Sequence, residues 1–237
     1  TKAEATGTGK YEKLLAACSK LAPVATAVVY PCEESALTAA VEAAQAGLIQ
    51  PILGGPADTL RTIARRAKID LEPYAVVDAP DSRAAAAKAV ELVRKGEADI
   101  LMKGSLHTDD FLGAVVARET GLRTGRRLSH VFIMDVPTYH KALIITDAAI
   151  NIAPGLEDKA DILQNAIDLA IAMGVAQPKV AILSAVETVT SKIPSTIDAA
   201  ALCKMADRGQ IRGALLDGPL AFDNAISKAA AKTKCIT

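Results

Sequence analysis

Short apolar runs alternate with stretches of helical spacing along the first hundred residues. Residues 25–30 form the first run, and Pro31 stops it. The spacing then predicts a helix over 34–46, with Gly47 in the position that favours a left-handed residue after a helix. Residues 50–53 read as a second strand, Gly54-Gly55-Pro56 as a turn, and 58–67 as a helix. Residues 74–77 are the third strand, and Asp81-Ser82 can cap the helix after it. Arg94 and Lys95 close that helix ahead of Gly96, which suits its dipole. Residues 98–103 are the fourth strand. These strands end near 30, 53, 78 and 103, a pitch of 23 to 25 residues. That is the length of a βα unit, and nearly unbroken apolar strands between helices predict a parallel sheet covered on both faces.

The pattern changes after residue 120. Residues 127–136 and 142–146 are two strand-like runs separated by only Pro137-Thr138-Tyr139-His140-Lys141, which permits a hairpin but no crossover. Pro154-Gly155 opens a long helix, 156–173, closed by Gly174. Two further βα units come next, with strands at 180–183 and 211–216 and helices over 195–208 and from about 220. The expectation is α/β architecture in two lobes, 1–148 and 149–237, each with helices on both faces of a mainly parallel sheet.

Composition narrows the class. The chain of 237 residues is 51% hydrophobic but only 3% aromatic, so small aliphatic side chains must build the core. Lys plus Arg equals Asp plus Glu at 27 each, and a nucleic-acid or membrane-surface binder would show a basic excess. Cys18, Cys32, Cys203 and Cys235 are scattered without a C-x-x-C pair, which fits reduced thiols in the cytoplasm. Residues 1–9 are polar and lack the apolar centre of a signal peptide, and no apolar run approaches the ~18 residues of a membrane helix. The absent starting Met suggests a fragment or processed product.

In open parallel sheets ligands bind beyond the carboxyl ends of the strands, so the residues there carry the chemistry. Lys103-Gly104-Ser105-Leu106-His107-Thr108 combines a cation, a glycine that admits close approach, and hydroxyls before a helix, a pattern suited to an anion. An exposed strand end with Ser105 or Thr108 as helix cap is the plainer alternative. Thr146, Asp147 and Asn151 come after the hairpin, Ser184 and Glu187 after the next strand, and Asp217-Gly218-Pro219 after the last. Asp147, Glu187 and Asp217 are open to three uses: general base, metal ligand or cap. His107, His130 and His140 lack zinc spacing, His130 reads as structural, and Arg126-Arg127 as a solvated face. The chain has no Walker A loop, no G-x-S-x-G elbow and no strand-linked G-x-G-x-x-G.

The ordered set Met102-Lys103-Gly104-Ser105-Leu106-His107-Thr108, Arg127-Leu128-Ser129-His130-Val131, Thr146-Asp147-Ala148-Ala149-Ile150-Asn151, Ser184-Ala185-Val186-Glu187 and Asp217-Gly218-Pro219 resembles the phosphate acetyl/butyryltransferase family. The likeness runs from about Lys10 to Lys234 and is closest to the transferase half of bifunctional enoyl-CoA hydratase/phosphate acetyltransferases. It implies two αβα lobes similar to the isocitrate/isopropylmalate dehydrogenase fold, with the active site in a cleft. It also implies exchange of acyl-CoA and phosphate for acyl phosphate and CoA, no cofactor beyond the CoA substrate, a homodimer, and possible coupling to a hydratase domain. On this likeness Lys103, Gly104, Ser105 and Thr108 bind phosphate or CoA, and Ser184, Glu187 and Asp217 are second candidates.

Two departures qualify the likeness. Where the acetyl branch carries an arginine after its His-Thr/Ser motif, this chain has Gly113, which brings it nearer the butyryl branch. The family's terminal Ser-Arg…Asp stretch has no counterpart before Cys235-Ile236-Thr237, so the principal catalytic residues are expected to be missing. The competing readings are a metal- and NAD(P)-dependent dehydrogenase of the same fold and a non-catalytic CoA-binding fragment.

Overall fold

The structure is a computed structural model that describes residues 9–236. Most of the polar start of the chain, residues 1–8, lies outside the described residues, as does Thr237. The chain divides into two compact units, one spanning Glu12–Gly125 and the other taking residues from Arg126 onward together with residues 9–11. The sequence pattern places a boundary near 148 instead. The hairpin goes with the second unit because Arg126 and Arg127 bond to the long helix after it: Arg126 pairs with Asp168, and the Arg127 amide donates to Asp161 at 2.8 Å.

The first unit is a four-stranded parallel sheet. Its strands are β1 (Val24–Val29), β2 (Ile49–Gly55), β3 (Ala75–Asp78) and β4 (Ile100–Lys103), in the order β3-β2-β1-β4. Alternation of side chains sends Ala27 and Val29 to one face, packed with Ala85, Ala86 and Ala89 of α4 (Ser82–Arg94). Val28 faces the other way, against Leu37 and Ala40 of α2 (Glu34–Gln45) and Leu60 and Ala64 of α3 (Ala57–Ala67). Helices therefore cover both faces, and central β1 has no exposed residue after Ala25. Asp81 caps α4 by accepting from the Ala84 amide at 2.8 Å. Gly54 and Gly55 belong to β2 rather than to a turn.

Helix α1 (Lys10–Cys18) leaves no clear mark in the sequence because none of its residues is buried. Its first residue has a definite task. The Lys10 ammonium donates to the carbonyls of Val136 and Tyr139, both at 2.7 Å, and pairs with Asp135 at 3.0 Å. It thereby ties the chain to the turn of the antiparallel hairpin β5 (Val131–Met134) and β6 (Leu143–Thr146).

After the hairpin come α6 (Leu156–Ala172), β7 (Lys179–Leu183), α7 (Pro194–Asp207) and β8 (Leu215–Leu220), with β7 and β8 parallel. Leu163, Ile167, Leu202 and Ile211 form the core of this unit, with Val180, Ile182 and Leu216 packed on it. Strand β8 lies later than the expected 211–216 and contains the Asp217-Gly218-Pro219 segment. Gly218 explains why: a Cβ there would come within 2.8 Å of Ile182, so glycine keeps the two strands in contact where a turn is anticipated. Two short helices, α8 (Phe222–Ile226) and α9 (Lys228–Thr233), end the described chain.

Candidate functional site

Strand order locates the crevice in the first unit. The chain moves from β1 outward through β2 to β3, then crosses back to add β4 on the other side of β1. Connections thus leave the ends of β1 and β4 in opposite directions, which opens a gap at the carboxyl edge of the sheet. The β3 side of the same edge is occupied, since Asp78 accepts from the Ala57 amide at 2.9 Å at the start of α3.

Lys103 ends β4 with its side chain exposed, and its Nζ reaches only the Gly104 carbonyl at 3.4 Å. No carboxylate pairs with it among the described residues. Gly104 is required by packing against protein backbone rather than against a ligand. A Cβ there would meet the Val29 carbonyl at 2.6 Å and the Tyr30 carbonyl at 2.7 Å. The Gly104 and Ser105 amides donate to those same two carbonyls, both at 2.9 Å. Leu106 then plugs into the core at 5% exposure and anchors the turn. Above it the Ser105 Oγ is buried and has no hydrogen-bond partner. A neutral hydroxyl left so is costly unless something in the working state bonds to it.

The start of α5 (Thr108–Val115) contributes less than its sequence promises. His107 is the N-cap, with no side-chain cap bond, and Thr108 is the first helical residue rather than a cap. Asp109 and Asp110 already fill the first turn with negative charge, and Arg83 holds Asp110 at 2.9 Å. An anion here would rest on Lys103 and Ser105. Gly113 stands in open space on α5.

Tyr30 and Cys32 complete this rim, and sequence reasoning misses them because the residues after the first strand match no chemical pattern. Both flank Gly55, whose added Cβ would lie 3.4 Å from the Cys32 Sγ and 3.7 Å from the Tyr30 ring. Burial, together with the adjoining Cys32, raises the Tyr30 phenol above its ordinary pKa. Burial likewise raises the Cys32 thiol, although the Tyr30 hydrogen bond pulls it down. Cys32 is therefore a protonated, unactivated thiol at neutral pH.

The second unit uses its polar residues differently. Asp147 accepts from the His130 amide at 2.6 Å and from both the amide and side chain of Asn151. Asn151 also donates to the Leu128 carbonyl at 2.9 Å and accepts from the Arg127 Nε at 2.7 Å. Burial pushes the Asp147 carboxyl up, but the donors from His130, Asn151 and Ala148 outweigh it and hold the carboxyl below its usual range. Arg126 and Arg127 are engaged with α6 rather than forming a merely solvated face; Arg127 also pairs with Asp158 at 3.5 Å. These residues stitch the hairpin to α6.

The three remaining candidates do not share one strand end. Ser184 comes after β7, its amide on the Leu220 carbonyl at 2.8 Å and its hydroxyl 2.7 Å from that of Ser195 at the start of α7. Glu187 accepts from Asn224 at 2.6 Å and pairs with Lys234 at 3.3 Å. Its own amide, then Lys234 and Asn224, hold its carboxyl low against the opposing effect of burial. Asp217 sits inside β8 opposite Ala181, exposed, bonded to the amide of Gly218 at 2.8 Å. Among the described residues no three His, Cys, Asp or Glu side chains gather to hold a metal ion, and no helix is long and apolar enough to cross a membrane.

Comparison with known proteins gives this geometry a context. Residues 80–237 match the family model described as "Phosphate acetyl/butaryl transferase". A phosphate acetyltransferase of Rhizobium meliloti is 60% identical over 96% of this chain and 72% of its own length. A phosphate butyryltransferase of Clostridium acetobutylicum is 44% identical over 89% of this chain and 70% of its own. Identity is thus higher to the acetyl-named protein of these two, whereas Gly113 suggests the butyryl branch. A solved phosphotransacetylase from Streptococcus pyogenes superimposes with a TM-score of 0.78 at 20% identity, over 95% of this chain and 77% of that one, a likeness of fold. The chain spans about two thirds of the length of the curated relatives it matches.

Proposed function

The chain belongs to the phosphate acetyl/butyryl transferase family, and from that premise we propose that its protein moves an acyl group between coenzyme A and inorganic phosphate. The observation that carries the reading is the β4–α5 turn. It carries, at the carboxyl end of β4, a Lys103 ammonium with no carboxylate partner among the described residues, followed by Ser105, whose hydroxyl is enclosed and has no hydrogen-bond partner. Phosphate asks for that pair: a point charge for its oxyanions and a fixed donor for one oxygen.

The chemistry is governed by charge. A free thiol of pKa about 8.5 is only a few per cent thiolate at pH 7, so attack of CoA on an acyl phosphate needs a base to take the thiol proton or a cationic field to hold the thiolate, and in addition a stabilised departing phosphate. Lys103 balances the charge that grows on that phosphate, and Ser105 orients it. In the reverse direction the same two groups hold phosphate for attack on the thioester. The Ser184–Ser195 hydroxyl pair of the second unit is a secondary, neutral candidate for binding CoA. Glu187 serves to position the segment after β7, held as it is by Asn224 and Lys234. We read the enzyme as a cytoplasmic homodimer that needs no organic cofactor beyond its CoA substrate. The dehydrogenase alternative calls for a carboxylate cluster, and the described residues bring none together.

The test is phosphate-dependent thiol release from acetyl-, propionyl- and butyryl-CoA. In the full-length protein, Lys103→Ala is expected to lower kcat/KM for phosphate about 100-fold, the usual loss when one charge-stabilising donor is removed. Unchanged phosphate kinetics would take Lys103 out of the site.

A further inference from the structure

Tyr30 has a backbone φ of 55°, in the left-handed region that a bulky aromatic residue rarely adopts. Such a conformation persists only where its surroundings over-determine it, and here the hydrogen bonds show what it accomplishes. In an extended strand the N–H and C=O of one residue point to the same side. The Tyr30 amide donates toward β2, to the Gly54 carbonyl at 2.7 Å. An extended Tyr30 would send its carbonyl toward β2 as well. The carbonyl points instead to the β4 side, where it accepts from the Ser105 amide at 2.9 Å and from the Cys32 amide at 2.8 Å. The left-handed turn therefore moves one backbone acceptor across the gap at which connections diverge.

We propose that Tyr30 is a positioning residue for the phosphate-gripping turn: its left-handed backbone supplies the carbonyl that fixes the Ser105 amide and so sets the course of the turn that carries Lys103 and Ser105. The proposal rests on the phosphate reading of that turn. Two further features support it. The Val29 carbonyl holds the Gly104 amide at 2.9 Å, so the turn is fastened at two successive residues of the β1 exit. Gly104 has no room for a side chain against those two carbonyls, so the fastening is also a steric fit. The Tyr30 ring packs with the cluster of Ala27, Val29 and Leu106, and its hydroxyl lies toward Cys32, away from the acceptor role of the backbone.

The experiment separates backbone from side chain. Affinity for inorganic phosphate is measured by isothermal titration, with the thermal midpoint recorded for each variant. Tyr30→Val, which resists the left-handed region, is expected to weaken phosphate binding about tenfold. Tyr30→Gly and Tyr30→Asn, which accept that region, are expected to stay within about threefold of the parent, and Tyr30→Phe to match it. Equal weakening in Tyr30→Gly and Tyr30→Val would overturn the proposal, because the loss would then track the ring and not the turn. Parent-like affinity in Tyr30→Val would overturn it too. Lys103→Ala in the same titration tells the two ideas apart. If it leaves phosphate affinity unchanged, the phosphate reading fails; if it weakens binding while Tyr30→Val does not, only the positioning role fails.

Discussion

The two units place similar polar residues at the ends of their strands and put them to opposite uses. In the Glu12–Gly125 unit the core is apolar and closed: Val28, Val29 and Leu53 have 1% exposure or less. Its fold does not depend on the Lys103 ammonium or the Ser105 hydroxyl, which remain without strong partners. In the second unit, Phe132 is 51% exposed and Met134 41%; bonds through Asp147 and Asn151 tie the hairpin to Arg127, which in turn holds Asp161 and Asp158 of α6. In the second unit the His130 Nδ1 and Asn224 Oδ1 are also buried without a partner, so unspent hydrogen-bonding capacity marks a group for chemistry only where, as on the segment after Lys103, it stands at the carboxyl end of a parallel strand. On this contrast, apolar truncation should dominate in the β1–β4 sheet and polar truncation in the hairpin of the second unit.

The largest effect is expected at Leu53, fully buried between β1 and the helices α2 and α3. Leu53→Ala should cost about 3–4 kcal/mol, from lost burial plus the cavity left behind. Urea unfolding measures it, and a loss under about 1 kcal/mol would mean that this core is not closely packed.

Next comes Asp147. Asp147→Ala strands the amides of His130 and Asn151 and should cost about 2 kcal/mol. Asp147→Asn adds a signature in pH. The folded carboxyl lies below its unfolded value, so its contribution is complete above the unfolded pKa of about 3.9 and is lost as pH falls through the lowered folded one. Stability of the parent should thus drop more steeply than that of Asp147→Asn as pH falls below about 4. Parallel curves would show that the carboxylate is not the centre of the web.

Much of this architecture is legible in the sequence, and the exceptions share a cause. The alternation of apolar runs and helices locates β1 to β4 because a parallel strand covered on both faces writes an unbroken apolar word. Gly54-Gly55 and Gly218-Pro219 look like turns because glycine and proline usually mark them, yet Gly218 serves close contact between strands. The unit boundary at Gly125 depends on bonds from Arg126 and Arg127 to residues more than thirty positions later, which no local pattern contains. At the site, Lys103 and Ser105 stand out in the sequence because they lie at the carboxyl end of an apolar strand, where parallel sheets bind ligands. The occupation of Ser184 by Ser195 and of Glu187 by Asn224 and Lys234 depends on tertiary neighbours. A left-handed tyrosine has no sequence signature, and the Pro31 after it favours an extended residue instead.

The smallest effect is expected at Phe132, and it probes the contrast from the other side. Its ring meets the imidazole of His130 edge to face at 4.6 Å, and half of it stands in water. Phe132↔Ile145 and Met134↔Leu143 share one face of the ribbon, and Ile133 on the other face is itself 40% exposed. Neither face of β5 is therefore sealed as β1 is. Phe132→Ser then removes an aromatic contact and a partly hydrated surface, for about 1 kcal/mol or less. Urea unfolding at two protein concentrations decides the matter. A loss near 1 kcal/mol at both concentrations keeps the polar web as the chief support of the hairpin. A loss above about 3 kcal/mol that grows with concentration would mean that another chain covers the ribbon, and the hairpin would then be held by apolar burial as β1 is.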